Sequence, residues 1–165
     1  MPSCFYKHST HFDLRTLASF DKRHLEHSIY SVSNQDKAIL FYDGDCGLCS
    51  RSVRFLMQRD KQAFLFYAPI QGETAEILLD AELRKSVATA VYRSPSGRQY
   101  LRSDAVLHAL IDMRSSWRFL ARPALWIPRS WRDGIYNWVA DRRHRFFPKN
   151  SCALPTPEEN RQILP

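Results

Sequence analysis

Ala38-Ile39-Leu40-Phe41-Tyr42-Asp43-Gly44-Asp45-Cys46-Gly47-Leu48-Cys49 is the stretch on which the reading of the fold turns. Its first five residues form a continuous apolar run, too short for a buried helix and closed by Asp-Gly-Asp turn chemistry, which is the pattern of a buried strand. Beyond the turn, Cys49, Val53, Leu56 and Met57 recur at helical spacing, while Ser50, Arg51, Arg54 and Gln58 fall on the other side. An amphipathic helix is therefore expected to about Asp60, with Cys46 in its first turn.

Outward from this unit, Ala63 to Ala68 reads as a second strand stopped by Pro69, and Ala75, Leu78, Leu79 and Leu83 give the next helical stretch. Val87 to Tyr92 is β-branched and aromatic, and Ser94-Pro95-Ser96-Gly97 is a turn that returns through Gln99 to Leu101 as a hairpin. Ser103 is expected to cap a third helix, with Asp104 in its first turn and Val106, Leu110 and Met113 on its buried face. The order is β-α-β-α-β-β-α, an α/β domain. Trp117 to Ile127, and then Trp131, Ile135, Trp138 and Val139 after an N-cap at Ser130, predict a C-terminal helical extension whose aromatic residues read as core. Residues 1–36 are polar, rich in His and Ser, and lack an apolar period, so the domain is expected over residues 37–163 behind a polar N-terminal extension.

A chain of 165 residues with 44% apolar content fits one globular domain. No run approaches the roughly 20 apolar residues of a membrane helix, and the leader shows no secretory pattern, so a soluble, cytoplasmic protein is expected. Four cysteines are too few and too unevenly spaced for a disulfide-stapled scaffold. The net charge of +7 arises between residues 93 and 149, where 12 Lys/Arg face 4 Asp/Glu. That excess suits any anionic partner, and peripheral membrane contact stays open. Nucleic acid is not the expected partner, because nothing in the pattern marks stacking aromatics on an exposed basic face.

The chemistry lies in Cys46 and Cys49. Disulfide exchange needs one thiolate nucleophile and a second thiol that resolves the mixed disulfide, and two cysteines three apart on a first helical turn supply both. Cys46, at the helix start, is expected to be exposed and to attack; Cys49, on the apolar face, to resolve. Asp43 and Asp45 complete the candidate site. Their charges are expected to push the Cys46 pKa upward against the helix dipole, and one of them to accept the Cys49 proton. Arg51 and Arg54 are candidate binders of an anionic substrate such as glutathione, against the plainer reading of a solvated helix face. The same Cys spacing is half of many zinc sites. A second half would have to come from Cys4, Cys152 or the pairs His8 with His11 and His24 with His27, and the placement after a strand favours redox chemistry without a metal or other cofactor. Cys152 reads as a small buried hydrophobe and Cys4 as incidental.

Two families share features of this stretch. The strand followed by Asp43-Gly44-Asp45 resembles the opening motif of haloacid-dehalogenase-like phosphotransferases, but the downstream acidic motifs of that family are missing. The whole segment Tyr42-Asp43-Gly44-Asp45-Cys46-Gly47-Leu48-Cys49-Ser50, with Ser103-Asp104-Ala105-Val106 and Cys152-Ala153-Leu154-Pro155-Thr156-Pro157-Glu158, resembles the DCC family, named for Asp-x-x-Cys-x-x-Cys. That resemblance implies a thioredoxin-like fold and thiol-disulfide oxidoreductase activity on a small-molecule or protein disulfide. Ordinary thioredoxins place a cis-proline before the third strand, whereas Arg84, Lys85 and Ser86 precede Val87 here, which points to a small-molecule disulfide or a dedicated partner. The competing reading is a non-enzymatic binding module with a structural or metal-holding Cys pair.

Overall fold

The structure is a computed structural model that describes residues 36–85, 89–146, 156 and 159–165. Four strands form one mixed sheet: β1 (Ala38–Tyr42), β2 (Leu65–Pro69), β3 (Val91–Arg93) and β4 (Gln99–Leu101), in the spatial order β2-β1-β3-β4. β1 runs parallel to β2 and antiparallel to β3, and β3 and β4 form the hairpin expected around Gly97, whose φ of 82° suits a residue without Cβ. Among the described residues six α-helices accompany the sheet: α1 (Gly47–Met57), α2 (Glu73–Leu78), α3 (Ala81–Lys85), α4 (Arg102–Asp112), α5 (Arg118–Ala124) and α6 (Arg129–Phe146). This mixed α/β architecture is consistent with a thioredoxin-like fold.

β1 is apolar throughout because both of its faces are covered. Successive side chains point to opposite sides of the sheet. Ala38, Leu40 and Tyr42 pack with Val53, Leu56 and Met57 of α1 and Ala105 and Ala109 of α4. Ile39 and Phe41 pack on the other side with Ala68, Ile70, Ala75 and Val91. The chain's last residues cover the outer edge of β2: Leu164 N–H donates to Tyr67 O at 2.8 Å and Thr74 N–H donates to Pro165 O at 2.8 Å.

Several expected boundaries move. Ala63 has a φ of 48°, so β2 starts at Leu65, and Pro69 is its final residue, paired with Tyr42, instead of the stop before it. A proline is tolerated there because β2 is the outermost strand. The stretch from Ala75 to Leu83 breaks into α2 and α3, because Leu79 is extended (φ −116°, ψ 143°). Ser103 does not cap α4: Leu101 holds the N-cap position and Ser103 Oγ donates to Asp133 Oδ1 at 2.5 Å. Ser130 likewise lies inside α6, which starts at Arg129. Val87, Cys4, Cys152, the four leader histidines and the motif residues 153–155 lie outside the described residues.

The C-terminal helices overturn the expectation of an aromatic core. Trp126 is 90% exposed, Trp131 73%, Ile135 68% and Trp138 55%, and Val139 is also exposed. The physical reason is that α6 turns its polar side inward. Arg132 donates to Asp104 Oδ1 at 2.6 Å, Asp133 accepts from Ser103, and Arg143 donates to Asp43 Oδ2 at 2.9 Å.

Candidate functional site

The site begins at the turn between β1 and α1. Cys46 N–H donates to Asp43 O at 3.2 Å, closing the turn, and Ser50 N–H donates to Cys46 O at 3.0 Å, opening the helix. Cys46 thus stands at the N-cap, with extended dihedrals (φ −100°, ψ 116°). Cys49 follows one turn later. Both are free thiols, and among the described residues no group of three or more His, Cys, Asp or Glu is arranged to hold a metal ion.

Asp43 organises the turn. Its Oδ1 accepts the Asp45 N–H and the Gln71 Nε2 group, each at 3.1 Å, while its Oδ2 accepts Arg143 Nη2 at 2.9 Å. Gln71 also reaches the turn through its Oε1, which accepts Gly44 N–H at 3.2 Å. The Asp43–Arg143 pair is buried, with side chains 4% and 9% exposed. Burying a carboxylate is costly unless donors and a cation of this kind surround it. Asp45 is half-buried at the turn, and its backbone contributes one of those donors.

The two thiols differ sharply. The Cys46 pKa is lowered to about 6, first by the hydrogen bond from the Cys49 thiol and further by the N–H groups of Cys49 and Leu48 and the charge of Arg143, which together outweigh burial. The Cys49 pKa is pushed far up, first because its proton is held in that same hydrogen bond, then by burial and the Cys46 charge. This corrects the expectation that Asp43 and Asp45 raise the Cys46 pKa. Arg143 pairs with Asp43, and neither carboxylate figures among the influences on Cys46; Asp43 acts instead on Cys49, in the upward direction.

Exposure is also reversed from expectation. Cys46 is 0% exposed and Cys49 is half-buried. The closed turn folds Cys46 inward, whereas Cys49, one turn further on, lines a cavity of about 540 Å³. That volume lies within the range of small-molecule sites. Its walls are largely apolar, among them Leu48, Phe55, Val106, Leu110, Trp117 and Val139, and Asp43 and Arg143 also line it. Arg51 joins the lining and Arg54 does not, so of the two arginines only Arg51 is brought to the site.

Sequence reasoning missed Arg143, Gln71 and Tyr136. Tyr136 accepts the Ala90 N–H at 2.8 Å through its hydroxyl, and Ala90 O accepts the Arg102 N–H at 3.0 Å, so the backbone just before β3 is already satisfied. The only signal that could have pointed to Arg143 was the arginine excess after residue 92; its partner lies 100 residues away.

The family model described as DCC1-like thiol-disulfide oxidoreductase matches residues 40–149. The chain is 30% identical over 132 residues to the uncharacterized protein YuxK of Bacillus subtilis, covering 77% of this chain and 93% of that one. It is 28% identical over 127 residues to a DCC family protein of Arabidopsis thaliana described as chloroplastic, covering 75% and 74%. No solved structure matches significantly.

Proposed function

Because the chain belongs to the DCC1-like thiol-disulfide oxidoreductase family, we propose that it exchanges disulfides through Cys46 and Cys49, on a thioredoxin-like domain spanning residues 37–163. The observation that carries this reading is the opposite displacement of two thiols that share one hydrogen bond. One is poised as a thiolate near neutral pH and the other keeps its proton, the division of labour that a two-step exchange requires.

In the forward direction the Cys46 thiolate attacks one sulfur of the substrate disulfide. The S–S bond breaks, a Cys46–substrate disulfide forms, and the other substrate sulfur departs as a thiolate. Cys49 then loses its proton to that leaving group or to water and attacks Cys46 Sγ. The second substrate thiolate departs, leaving a Cys46–Cys49 disulfide and a substrate reduced by two electrons. The reverse sequence oxidises a dithiol. Asp43 holds the turn that presents Cys46, and Asp45 supplies one N–H to that arrangement. The hydrogen bond to Cys46, burial and the Cys46 charge keep Cys49 protonated, and the charge of Asp43 adds to them.

Substrate approaches from the Cys49 side, because that thiol lines the cavity and Cys46 is enclosed. The cavity walls favour a disulfide flanked by apolar groups, and Arg51 at the lining suits a negative charge such as the carboxylate of glutathione. With the Ala90 N–H and C=O both engaged, an extended peptide finds no open backbone pairing at that position.

A glutathione redox titration read by alkylation mass spectrometry tests this. The expected result is a reversible Cys46–Cys49 disulfide with a defined midpoint, abolished in Cys46→Ser. Thiols that stay reduced at every ratio, or zinc retained by the purified protein, would overturn the enzyme reading in favour of a binding module.

A further inference from the structure

Helix α6 is built inside out. Trp131, Ile135, Trp138 and Arg142 follow one another at helical spacing along a single stripe, and all four are exposed. The opposite side carries Arg132, Asp133, Tyr136 and Arg143, which are half-buried or buried and hydrogen-bonded to α4, to the strand end at Ala90 and to Asp43. The apolar exposure continues beyond α6. Phe119 and Leu120 on α5 are 64% and 65% exposed, and the connection between the helices presents Trp126 and Ile127. Isolated exposed hydrophobes are ordinary, but a contiguous set of tryptophans, isoleucine, leucine and phenylalanine marks an interaction surface.

The exposed charges around this face are mostly positive. Among the described residues of 114–143, the exposed charged groups are Arg114, Arg122, Arg129 and Arg142 and one carboxylate, Asp141; of these arginines, Arg129 is paired with Asp104 and Asp133. Two arginines stand directly against the aromatic rings: Arg142 lies over Trp138 at 4.6 Å and Arg118 over Phe119 at 4.9 Å. Tryptophan with an apolar body and a polar N–H, next to arginine whose stem lies along apolar surface, is the side-chain chemistry of a lipid headgroup boundary. No helix of the described residues is long and apolar enough to cross a bilayer.

We propose that the exposed α5–α6 face docks on the surface of an anionic phospholipid bilayer, with Trp126, Trp131, Ile135 and Trp138 entering the headgroup boundary and the arginines meeting lipid phosphates. The face is continuous with the cavity beside Cys49: Phe55, Trp117 and Val139 line that cavity and are each 38% exposed. Docking in this orientation turns the cavity rim toward the bilayer.

The test uses the reduced full-length chain with vesicles of phosphatidylcholine alone or mixed with phosphatidylglycerol, read by co-sedimentation and tryptophan emission. Expected is partition onto the anionic vesicles with a blue shift in emission, weaker by about tenfold or more on pure phosphatidylcholine or in high salt. Trp131→Ser with Ile135→Ser should lose binding by a similar factor while oxidation of Cys46 and Cys49 by glutathione disulfide is unchanged. Trp126→Ser, in the connection, is the second variant should the first not fold. Absence of partition onto anionic vesicles, or undiminished partition by folded variants, overturns the proposal. So does a soluble dimer that the same substitutions dissolve without any vesicle binding, which would assign the face to a second copy of this chain. The redox reading stands or falls separately, on the glutathione titration.

Discussion

A thiolate at Cys46 is stabilised by groups that come together only in the folded chain, so its acidity is coupled to folding. The unfolded thiol has the ordinary value of 9.0 and the folded one titrates at about 6. A group whose pKa falls on folding contributes stability that is fully present above the unfolded value and is lost as pH drops through the folded one. The reduced protein is therefore expected to gain stability as pH rises from about 6 to about 9. Cys49 has the opposite displacement, so above about 9 its retained proton makes stability decline again. Urea unfolding of the reduced chain at a series of pH values should trace this rise and fall, and Cys46→Ser should remove the rise. At this scale the sequence was informative about which residues form the candidate site and poor about their surroundings. The spacing of the cysteines and the helix start were legible because both are local. The thiol on which Asp43 acts was not, because Asp43 is engaged by Arg143 and Gln71, neither of them a neighbour in the chain.

Among the elements, the junction of β2 and α2 shows how closely the chain's last residues are fitted. Gly72 is the N-cap of α2, and a Cβ built there would lie 2.8 Å from Pro165 C and 3.0 Å from the Pro69 ring. Both obstacles are stiff. Gly72→Ala should therefore push the 159–165 segment off β2 and cost about 1–3 kcal/mol, seen as a lowered urea midpoint and faster amide exchange at Leu164 and Thr74. The strands and helices that carry an apolar period were legible for a simple reason: β1 and α1 bury the residues their patterns mark. Boundaries set by one residue's dihedrals, as at Ala63 and Leu79, were not. Helix α6 was misread for a different reason. Periodicity reports that a helix has an apolar side, and it does not report which way that side faces. Here three polar links, one buried and two part-buried, hold the other side inward.

Across the whole molecule, the pair between Asp43 and Arg143 ties the first strand's end to the last long helix. With side chains 4% and 9% exposed, removal of one partner leaves the other charged and buried. Arg143→Met is expected to cost about 3–5 kcal/mol and to raise the Cys46 pKa, since the guanidinium favours the thiolate. Adding Asp43→Asn to that variant should restore most of the stability without restoring the acidity. Equilibrium unfolding and a thiolate absorbance titration separate the two effects. The α/β class was legible from the order of apolar runs, yet this tie was invisible in them, because it joins residues 100 positions apart.

That separation sets an order in time. A ribosome releases the dithiol motif long before residue 143 emerges, and closing so wide a loop is slow compared with forming a single helix. In the interval the two cysteines exist without the cation that helps divide them into thiolate and thiol. A nascent or truncated form that lacks residue 143 would keep the hydrogen bonds that Cys49 and Leu48 give to Cys46 and lack the favourable charge of Arg143, so its thiol is expected to be less acidic than in the folded chain.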